Sequence, residues 1–389
     1  MDEIYDLGIE GLNFNKAIGR ILPNYEQALL INTAIKPAPI AIQLWQQWKV
    51  YRKINSQIVT NCNYLPSIYD VLDDECQRLL PLIFRNLEYS NDFHALLLKS
   101  YYKHIWVKNQ QTLATVFNII NDLKDLGVDC VVLKGLAMTI GYYKDAGLRV
   151  SGDYDLLVPY SKKQVTIDYF KNKHSINLTL FQKLQILEYH AINVKLANGI
   201  DIDIHWNLNY ENALSNNTDI LFNDARVVEA SNKKLYKILS PTHQVFHAIT
   251  HGISVSKNYS IRWITDCFII NKYELIDWKV VSDLCLQYNY KIPFAIACKV
   301  LPLFDVQIPQ KILDNVSKWK FTQNELFFYN LVASYKGKKD SWYKKIVGNY
   351  SFKKAMFNQF KKGKASDNFI VWYLKSFTLA FAIWLKKRL

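Results

Sequence analysis

Two acidic residues separated by one position precede an apolar run in the segment Arg149-Val-Ser-Gly-Asp153-Tyr-Asp155-Leu-Leu-Val158. In a β-strand, residues i and i+2 project from the same face, so Asp153 and Asp155 are expected side by side at the edge of a sheet. Two adjacent carboxylates repel each other unless a cation or a proton lies between them. Hard divalent ions such as Mg²⁺ or Mn²⁺ prefer oxygen ligands of this kind. The pair therefore predicts a metal site suited to phosphate chemistry.

A second polar strand is predicted by the alternation in Gly199-Ile-Asp201-Ile-Asp203-Ile-His205-Trp206. Its isoleucines share one face and are expected in the core, while Asp201, Asp203 and His205 share the other face. The Asn-Gly turn before it is a hairpin signal. A third carboxylate beside the first pair would complete a two-metal centre and could accept a proton as a general base. The alternation by itself leaves Asp201 and Asp203 equally placed.

The turn Lys134-Gly135 lies upstream, between a short β-rich run that ends at Leu133 and a helix-like segment. A glycine at such a turn lets the backbone approach a phosphate, and the start of the following helix offers unpaired N–H groups. Lys134 and Arg149 add positive charge that suits a triphosphate. With Ser151, which lies between Arg149 and the acidic pair, they form the predicted phosphate-binding set.

At these positions the chain resembles the uncharacterised bacterial nucleotidyltransferases, a family of the DNA polymerase β-like nucleotidyltransferase superfamily. The residues that carry the resemblance are Lys134-Gly135, Arg149, the run from Asp153 to Val158, and Asp203-Ile-His205-Trp206. The similarity continues through the segments 239–251 and 262–266 and covers roughly residues 85 to 300. One departure is Leu136, because many members of the superfamily have a second glycine or a serine after the first.

The resemblance implies a metal-dependent enzyme that moves a nucleoside monophosphate from a nucleoside triphosphate to an acceptor hydroxyl and releases pyrophosphate. The acceptor stays open between a small molecule, an envelope sugar, a peptide and a protein. One alternative is a toxin-like nucleotidyltransferase that modifies tRNA or another RNA. Another is a non-catalytic protein that binds nucleotides or associates with a membrane.

The resemblance also favours Asp203 over Asp201 as the third acid. The catalytic residues and ligands of Mg²⁺ or Mn²⁺ implied in this way are Asp153, Asp155 and Asp203. The residues assigned to nucleotide binding are Lys134, Gly135, Arg149 and Ser151.

Several histidines are further candidates. His205 either anchors its strand through a hydrogen bond or takes part in catalysis. His243, His247 and His251 recur every four residues and so share one helical face. This spacing admits a zinc site, a contact with the nucleotide or acceptor, or a structural pairing such as His251 with Asp266. No glutamate follows the first histidine, which argues against the His-Glu-x-x-His metal motif.

The surrounding elements predict an α+β protein. Residues 1–112 are predicted to be helical, because apolar residues recur at three- and four-residue spacing. Residues 113–235 are predicted to form a small polymerase β-like nucleotidyltransferase core, a mixed sheet with helices, with strands at 153–158, 177–181, 190–196 and 200–206. Residues 236–389 are predicted to be a C-terminal helical domain with a basic tail.

The net charge of +14 and the pI near 9.2 favour an anionic partner such as a nucleotide, RNA or an anionic lipid. Ten lysines and a single acid lie between Lys336 and Lys364. The six cysteines include no C-x-x-C pair and the first residues lack a secretory signal, so a cytoplasmic location is expected. The apolar segment 369–385 is expected to pack on its own domain or to make a peripheral membrane contact.

Overall fold

A mixed six-stranded sheet lies at the centre of the described part of the chain, with the strand order β3–β4–β2–β1–β6–β5. The structure is a computed structural model and describes residues 22–52, 72–179, 182–183, 186, 190–208, 219–253 and 260–334. Its strands are β1 (Val131–Val132), β2 (Tyr154–Leu157), β3 (Ala191–Lys195), β4 (Asp201–His205), β5 (Arg226–Glu229) and β6 (Leu235–Ile238).

Helices stand before the sheet, between its strands and after it. Those before it are α1 (Tyr25–Ile35), α2 (Ala38–Tyr51), α3 (Asp74–Gln77), α4 (Leu80–Leu87) and α5 (His94–Asp125). Those between strands are α6 (Lys134–Met138), which continues as a π-helix over Thr139–Tyr143, then α7 (Lys163–Lys173) and α8 (Asp219–Asn223). Those after it are α9 (Pro241–Gly252), α10 (Arg262–Tyr273), α11 (Trp278–Gln287), α12 (Lys291–Val300), α13 (Gln310–Ser317) and α14 (Gln323–Ser334).

The pairing of β2 with β4 decides which polar side chains meet. The two strands run parallel, and Asp155 is opposite Asp203 in their register. Tyr154 and Leu156, on the other face of β2, are opposite Ile202 and Ile204 and are buried with them. A shift of one residue would place isoleucines against the acids, so the burial of the apolar face fixes the register.

The long helix α5 holds the segment that leads into β2. Its Asn109 side chain donates to the carbonyl oxygens of Ala146 and Arg149 at 2.6 and 2.8 Å. Lys108 of the same helix donates to the carbonyl of Ser151 at 3.2 Å. Because buried carbonyls need partners, these three bonds position the loop that carries the predicted phosphate-binding residues.

The prediction of a mixed sheet with helices, flanked by helical regions, is confirmed. The β3–β4 hairpin forms as predicted, and Gly199 in its turn has a φ of +82°. The predicted strand at 177–181 is wrong for residues 177–179, which have no regular secondary structure. The described sheet ends at β3, and residues 177–179 do not pair with this edge strand.

The division into three domains stays a prediction, and its first boundary, between residues 112 and 113, falls inside α5. The lysine run 336–364 and the apolar segment 369–385 lie outside the described residues. Among the helices of the described part, none is long and apolar enough to cross a membrane.

Candidate functional site

Asp155 of β2 is buried and has two close side-chain partners. Its side chain is 1% exposed, and one carboxylate oxygen lies 2.5 Å from the Lys134 Nζ and 2.8 Å from the His205 Nε2. Burial raises the pKa of Asp155, but the Lys134 ammonium and His205 outweigh it and hold the pKa well below its ordinary value. Asp155 is therefore ionised, and the Lys134 ammonium supplies one positive charge beside it.

Asp203 is in the opposite electrostatic situation. Its carboxylate accepts a hydrogen bond from the Asn193 side chain at 2.6 Å. Burial and then the charge of Asp155 raise the pKa of Asp203. Neighbouring carboxyl groups whose pKa values are pushed apart are suited to different tasks, one as a permanent anion and the other as a proton acceptor.

Asp155, Asp203 and His205, called the acidic group below, could hold a metal ion, because they offer ligand atoms that all lie within 4.8 Å of one another. No other group of three such residues is found in the part of the chain that the structure describes. Two carboxylate oxygens suit Mg²⁺ or Mn²⁺. His205 is buried, and its Nδ1 lies 3.3 Å from the carbonyl oxygen of Asn207, so it also fixes the orientation of Asp155.

Asp153 lies just before β2 and is exposed, outside the acidic group. Asp153 still acts on the Lys134 ammonium. Burial lowers the pKa of Lys134, but Asp155, helped by Asp153 and Asp203, outweighs burial and raises it. The proposed ligand set of Asp153, Asp155 and Asp203 stays a prediction, while the spatial group substitutes His205 for Asp153.

The Lys134-Gly135 turn is built for close approach. Lys134 has a φ of +47°, in the left-handed region that side chains rarely adopt. A Cβ on Gly135 would lie 2.4 Å from the Ser151 Oγ, so a larger residue there would collide with Ser151. The Ser151 Oγ is buried and has no hydrogen-bond partner among the described residues. A buried hydroxyl without a partner is a candidate for ligand contact.

A cavity of about 250 Å³ lies against this turn. Its lining comes from three regions: the segment after β1 and before β2, the helices α9 and α10, and the N-terminal helical region. The lining residues are Glu75, Arg78, Lys134, Gly135, Arg149, Val150, Ser151, Gly152, Asp153, Gln244, His247, Ala248, His251, Gly252, Ser260, Arg262, Trp263 and Asp266. All of the predicted nucleotide-binding residues line this cavity. Lys134 joins it to the acidic group, whose members are not in the lining.

Arg149 and Asp266 form a buried ion pair in the cavity wall. The Arg149 Nε and Nη2 donate to the two Asp266 oxygens at 2.9 and 2.7 Å, and the Tyr143 hydroxyl donates at 3.0 Å. Both oxygens of Asp266 therefore have partners other than His251, the residue that the sequence suggested. The planar guanidinium explains the preference, because it offers two parallel N–H groups to one carboxylate.

His247 and His251 line the cavity, with ring centres 5.8 Å apart. Burial, followed by the charge of Lys134, lowers the pKa of His247 to about 3, so its ring is neutral. The His247 Nε2 has no hydrogen-bond partner among the described residues. His243 instead faces Ser240, whose Oγ lies 3.2 Å from the His243 Nδ1. The three histidines do not form a metal-binding group within the described chain.

The lining residues that were not predicted as functional candidates include Glu75, Arg78, Gln244, Arg262 and Trp263. Gln244, Arg262 and Trp263 lie in segments that carry the family resemblance, but no motif identifies Glu75 and Arg78, which come from a helical segment far from the acidic strands. Glu75 and Arg78 have the i, i+3 spacing of an ordinary helix-surface ion pair. Only the folded chain brings them to the cavity.

The sequence model of a family described as uncharacterised nucleotidyltransferase matches residues 75–304, more than half of the chain. The matched interval begins at Glu75 and includes the whole cavity lining and the acidic group. A comparison with curated proteins finds no match.

Proposed function

The chain belongs to the uncharacterised nucleotidyltransferase family, and from this premise we propose that it transfers a nucleoside monophosphate from a nucleoside triphosphate to an acceptor hydroxyl. The observation that carries the proposal is the position of Lys134. Its side chain lines the cavity, and its ammonium contacts Asp155 of the acidic group. A cavity lined by the predicted phosphate-binding residues, linked through Lys134 to an acidic group that could hold a cation, fits a metal–triphosphate substrate.

The residues divide into two sets in this proposal. Asp153, Asp155 and Asp203 hold Mg²⁺ or Mn²⁺, and His205 orients Asp155. When bound, the ion lowers the pKa of the attacking hydroxyl and stabilises the charge of the departing pyrophosphate. The triphosphate is bound by Lys134, Gly135, Arg149 and Ser151. Arg149 uses one Nη1 hydrogen for the carbonyl of Val150 and pairs with Asp266, and it retains N–H groups for a ligand.

The acceptor oxygen forms a bond to the α-phosphorus, and the bond between that phosphorus and the bridging oxygen breaks, so pyrophosphate leaves. The proton of the acceptor hydroxyl passes to a carboxylate. Asp203 is the suitable acceptor because its pKa is raised, whereas Asp155 remains ionised beside Lys134.

The decisive experiment incubates the protein with Mg²⁺ or Mn²⁺, each α-labelled triphosphate and a panel of acceptors. The test variant is Asp153→Asn with Asp203→Asn, and the control is Asp201→Asn, which changes a carboxylate on the same face of β4 outside the acidic group. Label should move to an acceptor with the wild type and the control, and not with the double variant. Metal-dependent transfer that survives in the double variant would refute these residue roles. A wild type that binds no triphosphate would refute the function.

The net charge of +14 supports an anionic acceptor and makes RNA the second candidate. An RNA acceptor requires tRNA binding whose affinity falls steeply with salt, because phosphate contacts release counterions. Label that appears on tRNA in the transfer assay would establish it, and the absence of both binding and label would exclude it.

Two further alternatives have separate tests. A non-catalytic nucleotide-binding protein would give heat on titration with a triphosphate but no pyrophosphate release. A membrane contact through 369–389 would make the full chain float with anionic liposomes, and a chain that lacks these residues would not float.

A further inference from the structure

Arg262 is a buried cation with few partners. Its side chain is 11% exposed and its Nη1 donates to the carbonyl oxygen of Val150 at 2.5 Å. Its Nε has no hydrogen-bond partner among the described residues, and the Glu75 carboxylate is 3.8 Å from that nitrogen. A charged group in such a position is costly unless something pairs with it.

Glu75 cannot neutralise Arg262 fully, because it already has other partners. The Arg78 Nη1 lies 3.1 Å from one Glu75 oxygen, and the backbone N–H of Ile261 donates to the other oxygen at 3.2 Å. Two guanidinium groups therefore share one carboxylate at this wall of the cavity. Arg149 differs, since Asp266 is its own partner.

The start of α10 adds to the same positive field. Ile261 makes no side-chain cap, and the first turn of this 12-residue helix has no acidic residue. The N-terminus of a helix attracts anions through its unpaired N–H groups and its dipole. Trp263 in this turn is 2% exposed and lines the cavity, and its Nε1 has no hydrogen-bond partner within the described residues.

We propose that Arg78, Arg262 and the first turn of α10, called the arginine subsite below, bind the terminal phosphates of the donor triphosphate. The inference rests on the proposed function, because it assigns the leaving pyrophosphate to this wall while the reacting phosphate lies at Lys134-Gly135. Guanidinium groups bind phosphate oxygens through paired N–H donors. Donors placed where charge develops on a leaving group stabilise the transition state.

The arginine subsite makes binding depend on the β- and γ-phosphates. A triphosphate and inorganic pyrophosphate should bind through it, and a nucleoside monophosphate should not. The monophosphate would keep only its contacts at the Lys134-Gly135 turn.

The test measures pyrophosphate, triphosphate and monophosphate binding by calorimetry in the presence of Mg²⁺, for the full chain and for Arg78→Gln and Arg262→Gln. Each substitution should weaken pyrophosphate and triphosphate binding by about 10- to 100-fold and leave monophosphate binding unchanged, because each removes a hydrogen bond to a charged group. The matched control is Arg226→Gln, since Arg226 pairs with Glu274 at 2.7 Å and is outside the cavity lining. Arg78 is about one-third exposed, so its variant keeps the test valid if the Arg262 variant does not fold.

Pyrophosphate affinity equal to that of the wild type in Arg78→Gln overturns the proposal. Equal weakening of monophosphate and pyrophosphate binding also overturns it, because the arginines would then not act on the terminal phosphates. If the wild type transfers nucleotide and the variants bind pyrophosphate and triphosphate as tightly as the wild type, the arginine subsite is refuted and the proposed function is intact. Pyrophosphate binding that depends on these arginines, without any transfer, defeats the proposed function and leaves the subsite standing.

Discussion

The acidic group and the arginine subsite carry opposite charges, and in each the charges are only partly paired. In the acidic group two carboxylates, Asp155 and Asp203, act on one ammonium, that of Lys134, which contacts Asp155 directly. In the arginine subsite two guanidinium groups, Arg78 and Arg262, share the carboxylate of Glu75. Each therefore accommodates a further charge, a cation in the first and an anion in the second. These are the two components of a metal–triphosphate complex.

The two regions also differ in how the chain builds them. The acidic group is fixed by the register of two neighbouring strands in the middle of a sheet. The arginine subsite joins α10 to a helical segment almost two hundred residues earlier in the sequence, through the Glu75–Ile261 hydrogen bond. The acidic group therefore depends on the pairing of two strands, and the arginine subsite depends on the packing of helices that are distant in the sequence.

Asp155→Asn should give the largest effect, because it removes the ionised carboxylate of the acidic group. Without the carboxylate, the Lys134 ammonium, whose side chain is 18% exposed, loses its partner, so the free energy of unfolding should fall by about 3–5 kcal/mol. Transfer should fall by at least about 10²-fold. Denaturant unfolding and the labelled-nucleotide assay measure the two effects.

The double variant Asp155→Asn with Lys134→Met separates the effect on stability from the effect on transfer. It removes both charges, so much of the lost stability should return while transfer stays as low as in Asp155→Asn. A single variant as stable as the wild type would show that the Lys134–Asp155 contact contributes nothing to the fold.

Asp203→Asn should give a smaller effect, confined to function. Loss of a proton acceptor should reduce transfer by about 10²- to 10³-fold, whereas Asp201→Asn on the same face should leave it near the wild-type value. The raised pKa of Asp203 means that its contribution to stability is present below the unfolded pKa and is lost as the pH rises through the folded pKa. The asparagine variant should therefore be at least as stable as the wild type at neutral pH. A rate equal for both variants would remove Asp203 from the mechanism.

His247 should give the smallest effect, as a pH dependence of stability. Its pKa is about 3 when folded, against an unfolded value near 6.5, so its contribution is present above about pH 6.5 and falls as the pH decreases. Unfolding free energies from pH 6.5 to 5 should lose about 1.4 kcal/mol per pH unit through this residue. His247→Gln should flatten the slope by that amount, with the exposed His104→Gln as the control. An unchanged slope would mean that the pKa of His247 in the folded protein is near its ordinary value, so that the ring becomes charged in the cavity as the pH falls.

The acidic strands were predictable because β periodicity is short. Asp153, Asp155, Asp203 and their facing apolar residues follow a period of two, and the Asn-Gly turn marks the hairpin. The role of His205 as a neighbour of Asp155 follows from the β2–β4 register, which no single strand specifies. Lys134 was predicted to contact phosphate. Its contact with Asp155 was not predicted, because it depends on how the turn after β1 packs against β2.

Other features were beyond the sequence for physical reasons. The strands β5 and β6 were not predicted, since neither sequence shows the regular apolar–polar alternation of β4. The Glu75–Arg78 pair looks like any i, i+3 pair on a helix until α10 packs beside it. The pairing of Arg149 with Asp266 joins residues from two regions that the sequence treated as separate domains.

The contact between Gly252 and Trp263 has a consequence for the dimensions of the cavity. A Cβ on Gly252 would lie 2.4 Å from the Trp263 Cβ and 2.5 Å from its Cγ, far inside normal contact distance. Both residues line the cavity, one at the end of α9 and the other at the start of α10. Because Gly252 has no Cβ, the two helices can lie this close together, and a side chain at this position would increase their separation. Substitution of Gly252 by progressively larger residues would change the distance from the Lys134-Gly135 turn to the arginine subsite without replacing any charged group. Such a series would test how the preferred phosphate-chain length of the donor depends on that distance.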